Sequence, residues 1–238
     1  MKVLLLLLAC CVITACATTT PIEGKPIPER SDRSSASQLG KNDFDRMADV
    51  EMAENTQSLR NLMLKLYKRN PHELAKSTTD NTEKMVEWVF ESELQHHFKF
   101  KEIDNKQGTQ AVFLAFDNNY QGDRVLPFIV GLQTMLLKAH NNKTEFYLTD
   151  KIEPQHVYNV ARNIEIAAWK LSNARDVNGN LYLLSNEIGD KNLNLSFERE
   201  FGKMIGRTDL YAISLAEKSQ RLVSRVMQSL ATAVFLPF

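Results

Sequence analysis

Residues 43–69 read DFDRMADVEMAENTQSLRNLMLKLYKR and stand directly before Asn70-Pro71. Apolar side chains recur in this stretch at Leu59, Leu62, Met63, Leu66 and Tyr67. That spacing places them on one face of an α-helix. The proline disfavours helical backbone at Asn70, so the helix is expected to end there. The stretch therefore predicts an amphipathic helix from Asp43 to Arg69 and indicates a mainly α fold.

Similar patterns return along the rest of the chain. Further helices are predicted at about Thr82 to Gln95, Gly122 to His140, Pro154 to Ala174 and Ser196 to Val234, the last with Ser196 as its N-cap. Glycine and proline are sparse, with nine and seven residues in a chain of 238. The sequence thus predicts a single multi-helix domain over residues 43–238, with a few short strands or one hairpin and a long C-terminal amphipathic helix.

Three short segments complete this prediction. Residues 98–103, FKFKEI, alternate between apolar and charged side chains and predict a short strand. Residues 111–116, AVFLAF, suit either a strand or a buried helix, and periodicity does not decide at that length. The last residues, Val234 to Phe238, are apolar and are expected to dock on the domain.

The chain begins with a positive charge, an apolar run and a group of small residues. Lys2 precedes an apolar run from Val3 to Ile13, and Ile13-Thr14-Ala15-Cys16 closes it. This order is typical of a secretory signal. The final four residues resemble the lipobox of bacterial lipoprotein precursors. The resemblance covers the leader alone. It implies removal of residues 1–15 and attachment of acyl chains, such as palmitate, to Cys16.

The distribution of cysteines points the same way. All three lie in the leader, at Cys10, Cys11 and Cys16, so cleavage before Cys16 leaves one cysteine and no internal disulfide. Two alternatives stay open: a second gate, Leu7-Leu8-Ala9-Cys10, and ordinary cleavage after Ala17. Polar residues from Thr14 onward stop the apolar run short of the about 20 residues that a membrane-spanning helix needs.

Residues 16–42 link the leader to the predicted domain. They are rich in proline, serine and threonine and poor in large apolar side chains, which predicts a disordered tether. Because Ala17 rather than Asp follows Cys16, the resemblance implies an outer-membrane position facing the periplasm. The expected partners are the membrane, through the lipid on Cys16, and an envelope protein or polymer. The 29 basic and 29 acidic residues balance, which argues against nucleic acid as a partner.

One stretch has the spacing of a calcium loop. Oxygen-bearing side chains stand at EF-hand positions 1, 3, 5 and 12, namely Asp176, Asn178, Asn180 and Glu187. Position 6 is Leu181 where an EF-hand requires glycine. The favoured interpretation is a tight turn at Asn178-Gly179 that leads into a strand from Leu181 to Leu184.

The last predicted helix carries a basic stripe. Its members are Arg199, Lys203, Arg207, Lys218, Arg221 and Arg225. Such a stripe suits anionic lipid head groups or an acidic partner. Glu200 and Glu217 lie in the same arc, however, and favour a merely solvated face. The pair Gly202 and Gly206 predicts close packing against another helix, within the molecule rather than in a dimer.

No catalytic set emerges from the sequence. His96 and His97, with Glu93 nearby, lack the further ligands of a zinc site, and Asp117 with Asp123 lacks a partner base or nucleophile. The sequence therefore predicts no cofactor and no metal, and leans away from an enzyme. It favours an interaction or structural lipoprotein of the cell envelope. The alternatives are a cell-wall-active hydrolase or lyase, and a carrier of apolar ligands between the helices.

Overall fold

The first helix begins and ends where the sequence predicts. In the computed structural model, which describes residues 41–189, 193–220, 223 and 234–238, helix α1 spans Asp43–Arg69. The Asn42 side chain accepts hydrogen bonds from the backbone nitrogens of Phe44 and Asp45, at 2.8 and 3.0 Å. The Asp45 carboxylate accepts from the Asn42 backbone nitrogen at 2.8 Å. This reciprocal capping box satisfies donors that a helix start leaves open.

Six further helices follow in the described part of the chain. They are α2 (Pro71–Ser77), α3 (Thr82–His96), α4 (Gly108–Ala115), α5 (Val125–Ala139), α6 (Pro154–Asn173) and α7 (Ser196–Lys218). A 3₁₀ helix (Lys101–Ile103) joins α3 to α4, and a hairpin of β1 (Glu187–Ile188) and β2 (Leu193–Asn194) precedes α7. The hairpin is antiparallel, with Glu187 opposite Asn194. The described residues from 41 onward form one compact unit, and the predicted mainly α single domain is confirmed.

Helix α5 lies at the centre of the core. Every one of its residues except Lys138 is buried. Helices α1, α4 and α6 pack against it, and α7 packs against α1 and α6. Asp123 caps its start by accepting a hydrogen bond from the Val125 backbone nitrogen at 2.8 Å. A helix that is apolar on all sides is stable only when neighbours cover all of its faces, which explains this layered arrangement.

Gly131 allows α4 and α5 to approach each other closely. A methyl group at this position would lie 2.5 Å from Cγ2 of Val112 and 2.7 Å from the carbonyl oxygen of Gly108. The second of these atoms belongs to the backbone, so it moves only if α4 itself moves. The α7 glycines differ: apart from their chain neighbours and the backbone of α7 itself, no described atom lies within 4 Å of a Cβ placed on Gly202 or Gly206. The described part of the chain therefore does not supply the helix packing predicted for this pair.

Two of the predicted strands are wrong. Residues 98–103 contain the 3₁₀ helix, and Phe98 has a φ of 57°, which interrupts extended backbone. The alternation instead reflects burial, because Phe98 and Phe100 enter the core without a described strand beside them. Leu181 forms only an isolated bridge with Arg175, and no strand continues from it to Leu184.

Residues 111–116, for which the sequence left strand and helix open, belong to α4, which is helical from Gly108 to Ala115.

Helix α7 is shorter than predicted. It ends at Lys218, where the Ser219 hydroxyl donates to the Leu215 carbonyl oxygen and Gln220 has a φ of 53°. Its N-cap is Leu195 rather than Ser196. The predicted continuation over 221–222 and 224–233 lies outside the described residues.

We expect Gly131→Ala to lower the free energy of unfolding by about 1–3 kcal/mol or more, because the added methyl group overpacks the contact between α4 and α5. The matched control is Gly206→Ala, which fills open space on a helix and should raise that free energy by about 0.8–1 kcal/mol. Urea unfolding followed by circular dichroism measures both changes. Equal effects of the two substitutions would contradict the close approach at Gly131.

Candidate functional site

A glutamate and a histidine meet in the core between α1, α5 and α7. Glu51 lies on α1 and His140 directly follows α5, and their exposed fractions are 4% and 0%. Oε2 of Glu51 lies 3.2 Å from Nε2 of His140. Nδ1 of the same ring lies 2.9 Å from the Leu136 carbonyl oxygen, which only accepts hydrogen bonds. Both ring nitrogens therefore lie near oxygen atoms, but the contact between Nε2 and Oε2 is a close approach rather than a well-directed hydrogen bond, since neither atom has a hydrogen-bond partner among the described residues.

The surroundings of His140 shift its pKa. Burial lowers this pKa, but the nearby Glu51 carboxylate and the Leu136 carbonyl oxygen raise it, and the net shift is upward. The Tyr211 ring stacks on the imidazole with 5.7 Å between centroids and 13° between planes. Burial and the charge of Glu51 raise the pKa of Tyr211, so its phenol stays neutral. The imidazolium is thus covered on one face by an aromatic ring that is itself uncharged.

Glu51 accepts further hydrogen bonds that hold α7 against α1. Its Oε1 accepts from Nδ2 of Asn55 at 2.5 Å and from the Thr208 hydroxyl at 2.7 Å. Arg207 donates from Nε to Oδ1 of Asn55 at 3.0 Å and from a guanidinium nitrogen to the Ser58 hydroxyl at 2.7 Å. A buried carboxylate is tolerated when its oxygens are paired in this way. The network therefore holds the first and last described helices in one fixed relation.

An apolar groove lies between α1 and α7, next to this network. Three of its side chains are substantially exposed: Met47 at 37%, Val50 at 39% and Leu210 at 62%. Its volume is about 310 Å³, and Glu51 and Tyr211 also line it. We call this surface the α1–α7 groove and define it by these five residues with Asp43, Arg46 and Arg207. Three exposed apolar side chains that share one groove make this surface the candidate for an interaction site.

The C-terminal tail docks on the domain, as the sequence predicts. Residues 234–238 lie against α4, α5 and α6, with the Phe235 ring edge-on to Phe113 at 5.1 Å between centroids. Oδ1 of Asn163 accepts from the Leu236 nitrogen at 2.6 Å. Nδ2 of Asn163 donates to the Leu236 carbonyl oxygen at 2.8 Å. We call the surface that holds residues 234–238 the tail groove.

The calcium-like loop forms a turn. The Asp176 carboxylate accepts hydrogen bonds from the backbone nitrogens of Asn178 and Asn180, both at 2.9 Å, and Gly179 has a φ of 83°. These backbone hydrogen bonds lower the pKa of Asp176. Glu187 instead accepts from the guanidinium group of Arg69 at 3.1 Å. Across the described ranges, no three His, Cys, Asp or Glu side chains converge as a metal site would require.

The basic stripe does not form a continuous face in the part of α7 that the structure describes. Arg207 turns inward to α1, and Lys203 pairs with Glu200 at 3.0 Å. The Lys218 ammonium lies 4.4 Å from the centroid of the Phe44 ring, and Arg199 is exposed. Arg221 and Arg225 lie outside the described residues, as does Cys16.

The remaining polar candidates have local structural roles. Asp123 accepts from the Tyr67 hydroxyl at 2.5 Å and from the Ser77 hydroxyl at 2.8 Å, besides capping α5. Asp117 accepts from the Asn119 backbone nitrogen at 2.9 Å. Each carboxylate is thus held by its own partners rather than by the other. His97 ends α3 with a φ of 51°, and its carbonyl oxygen accepts from Gln107 at 2.6 Å.

Comparison of the chain with protein-family models, with curated proteins and with solved structures finds no match. The candidate functional residues are therefore identified from geometry alone.

The sequence patterns did not reveal Glu51, Asn55 and Thr208 as candidates, although the sequence contains a signal for two of them. Glu51 and Asn55 fall at helical spacing on the same face as the buried Ala48, Met52 and Leu59. A polar residue within an apolar helical stripe indicates a buried polar partner.

We expect Glu51→Gln to lower the free energy of unfolding by about 3–5 kcal/mol, because it leaves the His140 imidazolium buried without its counter-charge. Glu54→Gln is the matched control: Glu54 lies on the same helix, and its side chain is exposed. That substitution should change the free energy by less than about 0.5 kcal/mol. Urea denaturation at pH 7 measures both. A loss below about 1 kcal/mol for Glu51→Gln would contradict a charged pair.

Proposed function

We propose that this protein is a lipoprotein of the bacterial cell envelope that binds another envelope protein. The observation that carries the proposal is the position of Cys16, at the end of a lipobox-like leader and followed by no other cysteine. Two or more acyl chains on that residue give stable membrane attachment, whereas one chain gives only marginal binding. Among the residues that the structure describes, no helix is long and apolar enough to cross a membrane.

The tether determines how far the domain reaches. Between Cys16 and the capping residue Asn42 lie about 25 residues, which extend to roughly 80 Å when fully stretched. A disordered chain of that length, which the sequence predicts for this tether, averages roughly 25–30 Å end to end. The domain thus works within a short distance of the membrane surface. Ala17 supports the outer membrane as that surface, with the domain in the periplasm.

The α1–α7 groove supports a protein as the partner rather than a polysaccharide. Met47, Val50 and Leu210 gain most when an apolar surface covers them, at about 25 cal/mol for each Å² removed from water. Glycan hydroxyl groups would lose hydrogen bonds to water without finding partners on these side chains. An amphipathic helix presents apolar side chains at i, i+3, i+4 and i+7, and such a helix fits a groove between two helices. The proposed occupant is therefore the apolar face of a partner helix.

A carrier of apolar ligands is the second candidate. The volume of the α1–α7 groove, about 310 Å³, lies at the lower end of the range for small-molecule sites. Native mass spectrometry of the purified protein distinguishes the two, because a carrier retains a bound lipid and an interaction protein does not.

The hydrolase or lyase alternative stays a prediction without a site, since His140 is fully buried and Asp123 caps α5.

We expect Cys16→Ser to abolish incorporation of labelled palmitate and to release the protein from the membrane fraction, because the substitution removes the sulfur that accepts the lipid. Cys10→Ser is the matched control and should leave both properties unchanged. Metabolic labelling in a bacterial host, followed by fractionation, measures them. Labelling that survives Cys16→Ser but not Cys10→Ser would place the anchor at the alternative gate. Absence of label from the unmodified chain would exclude a lipoprotein.

We expect a photoreactive benzoylphenylalanine at position 210 to form a discrete crosslinked product in intact envelopes. Leu210 lies in the α1–α7 groove and is 62% exposed. Leu148 provides the control, because it is 63% exposed and lies outside that groove. Gel mobility and mass spectrometry identify the product. If both positions give the same pattern, or neither gives a product, the groove is not the partner site.

A further inference from the structure

Asn178 and Gly179 form the exposed tip of the turn that stands in place of a calcium loop. Among the asparagines of the chain, Asn178 alone is followed by glycine. Both residues are exposed, and the preceding Val177 is 82% exposed. Apart from the chain neighbours of Gly179, no described atom lies within 4 Å of a Cβ placed on it. Side-chain packing therefore does not shield this pair from water.

An asparagine that precedes glycine reacts with its own backbone. The Gly179 nitrogen loses its proton to water or hydroxide and attacks Cγ of Asn178. A bond forms between this nitrogen and Cγ, the bond from Cγ to Nδ2 breaks, and Nδ2 takes up a proton and leaves as ammonia. Water then opens the succinimide ring, at Cγ to give aspartate or at the backbone carbonyl carbon to give isoaspartate. Glycine favours the attack because it has no Cβ to hinder it.

The hydrogen bonds of the turn oppose this reaction. The Gly179 nitrogen donates to the Asp176 carbonyl oxygen at 3.0 Å, so the attacking atom is engaged. The Asp176 carboxylate accepts from the backbone nitrogens of Asn178 and Asn180, both at 2.9 Å. Gly179 has a φ of 83°, as in a type I turn that is followed by a bulge. The reaction therefore requires the turn to open, and Asp176 holds it closed.

The turn is able to open without disturbing the core. In the part of the chain that the structure describes, it is flanked by an isolated bridge between Arg175 and Leu181 rather than by a ladder of strands. Exposed segments with few buried contacts open locally at far lower cost than the whole domain. The hydrogen bonds from Asn180 and Asn178 lower the pKa of Asp176, so its carboxylate stays charged at neutral pH and keeps accepting them.

We propose that Asn178 is a site of spontaneous covalent modification, converted to aspartate and isoaspartate through a succinimide, and that Asp176 sets the rate by keeping the turn closed. The conversion places a second negative charge beside Asp176, and isoaspartate also lengthens the backbone by a methylene group. Both changes loosen the turn, because like charges repel and the hydrogen bonds lose their register. The proposal goes beyond the proposed function, since it requires neither the lipid on Cys16 nor the α1–α7 groove.

The test incubates the full chain in buffer at about pH 8.5 and follows the tryptic peptide of residues 176–191 by mass spectrometry. Trypsin releases this peptide by cleaving after Arg175 and Lys191. Fragmentation locates the small mass increase that replacement of an amide by an acid produces, and an unincubated sample gives the background. Asn180 is the internal control, because the Leu181 side chain hinders attack by the nitrogen that follows it. We expect Asn178 to convert at least tenfold faster than Asn180.

We expect Asp176→Ala to raise the rate at Asn178 at least threefold, because the turn opens more often without this carboxylate. Val177→Ala is the matched control, since this exposed side chain lies in the same turn, and it should change the rate less than twofold. A synthetic peptide of residues 176–191, which lacks the rest of the domain, should convert faster than the unmodified chain.

Conversion of Asn178 no faster than that of Asn180 would overturn the modification site. A rate that Asp176→Ala leaves unchanged, or a folded chain that converts as fast as the peptide, would overturn the role of Asp176. If Asp176→Ala lowers the thermal stability of the whole domain, Asp176→Asn replaces it. Its amide oxygen still accepts hydrogen bonds but carries no charge, so the rate should rise in the same direction.

Discussion

The buried ion pair of Glu51 and His140 connects three helices that are distant in sequence. It joins α1 to the end of α5, and Thr208 brings α7 to the same carboxylate. Removing these charges from water costs several kcal/mol for each ion, and the arrangement persists because Asn55, Thr208 and the Leu136 carbonyl satisfy the remaining polar atoms. The position of α7 against α1 follows from this network, and with it the groove that the two helices line.

Asparagine side chains order the segments that have no regular structure. Asn70, at the end of α1, donates to the Leu184 carbonyl oxygen and accepts from the Leu184 nitrogen, at 2.9 and 2.8 Å. Asn163 repeats the same pair of bonds with Leu236. A mainly α domain with one short hairpin offers few strands for extended chain to join. Side-chain amides on helices take over that role for the segments around Leu184 and Leu236.

Local periodicity predicts this fold well and its long-range contacts poorly. The apolar spacing predicts α1 and Asn70-Pro71 predicts its end at Arg69, because helical burial repeats within a few positions. The alternation at 98–103 misleads, since burial in a 3₁₀ segment produces the same pattern as a strand. The predicted basic stripe is interrupted at Arg207, because this side chain donates hydrogen bonds to Asn55 and Ser58 on α1 instead of facing solvent. No spacing rule predicts partners about ninety residues apart, such as Glu51 and His140, although a polar residue on an apolar face marks one end of the pair.

The protonation state of His140 tests this arrangement most directly. The pKa of this residue is raised above the ordinary value of about 6.5, so the ring should lose its proton at a higher pH than an unperturbed histidine does. A pH titration followed by long-range ¹H–¹⁵N NMR should show both ring nitrogens of His140 protonated below the midpoint, with that midpoint above the value of an unperturbed histidine. A midpoint at or below that of an unperturbed histidine would contradict the ion pair on which the packing of α1, α5 and α7 depends.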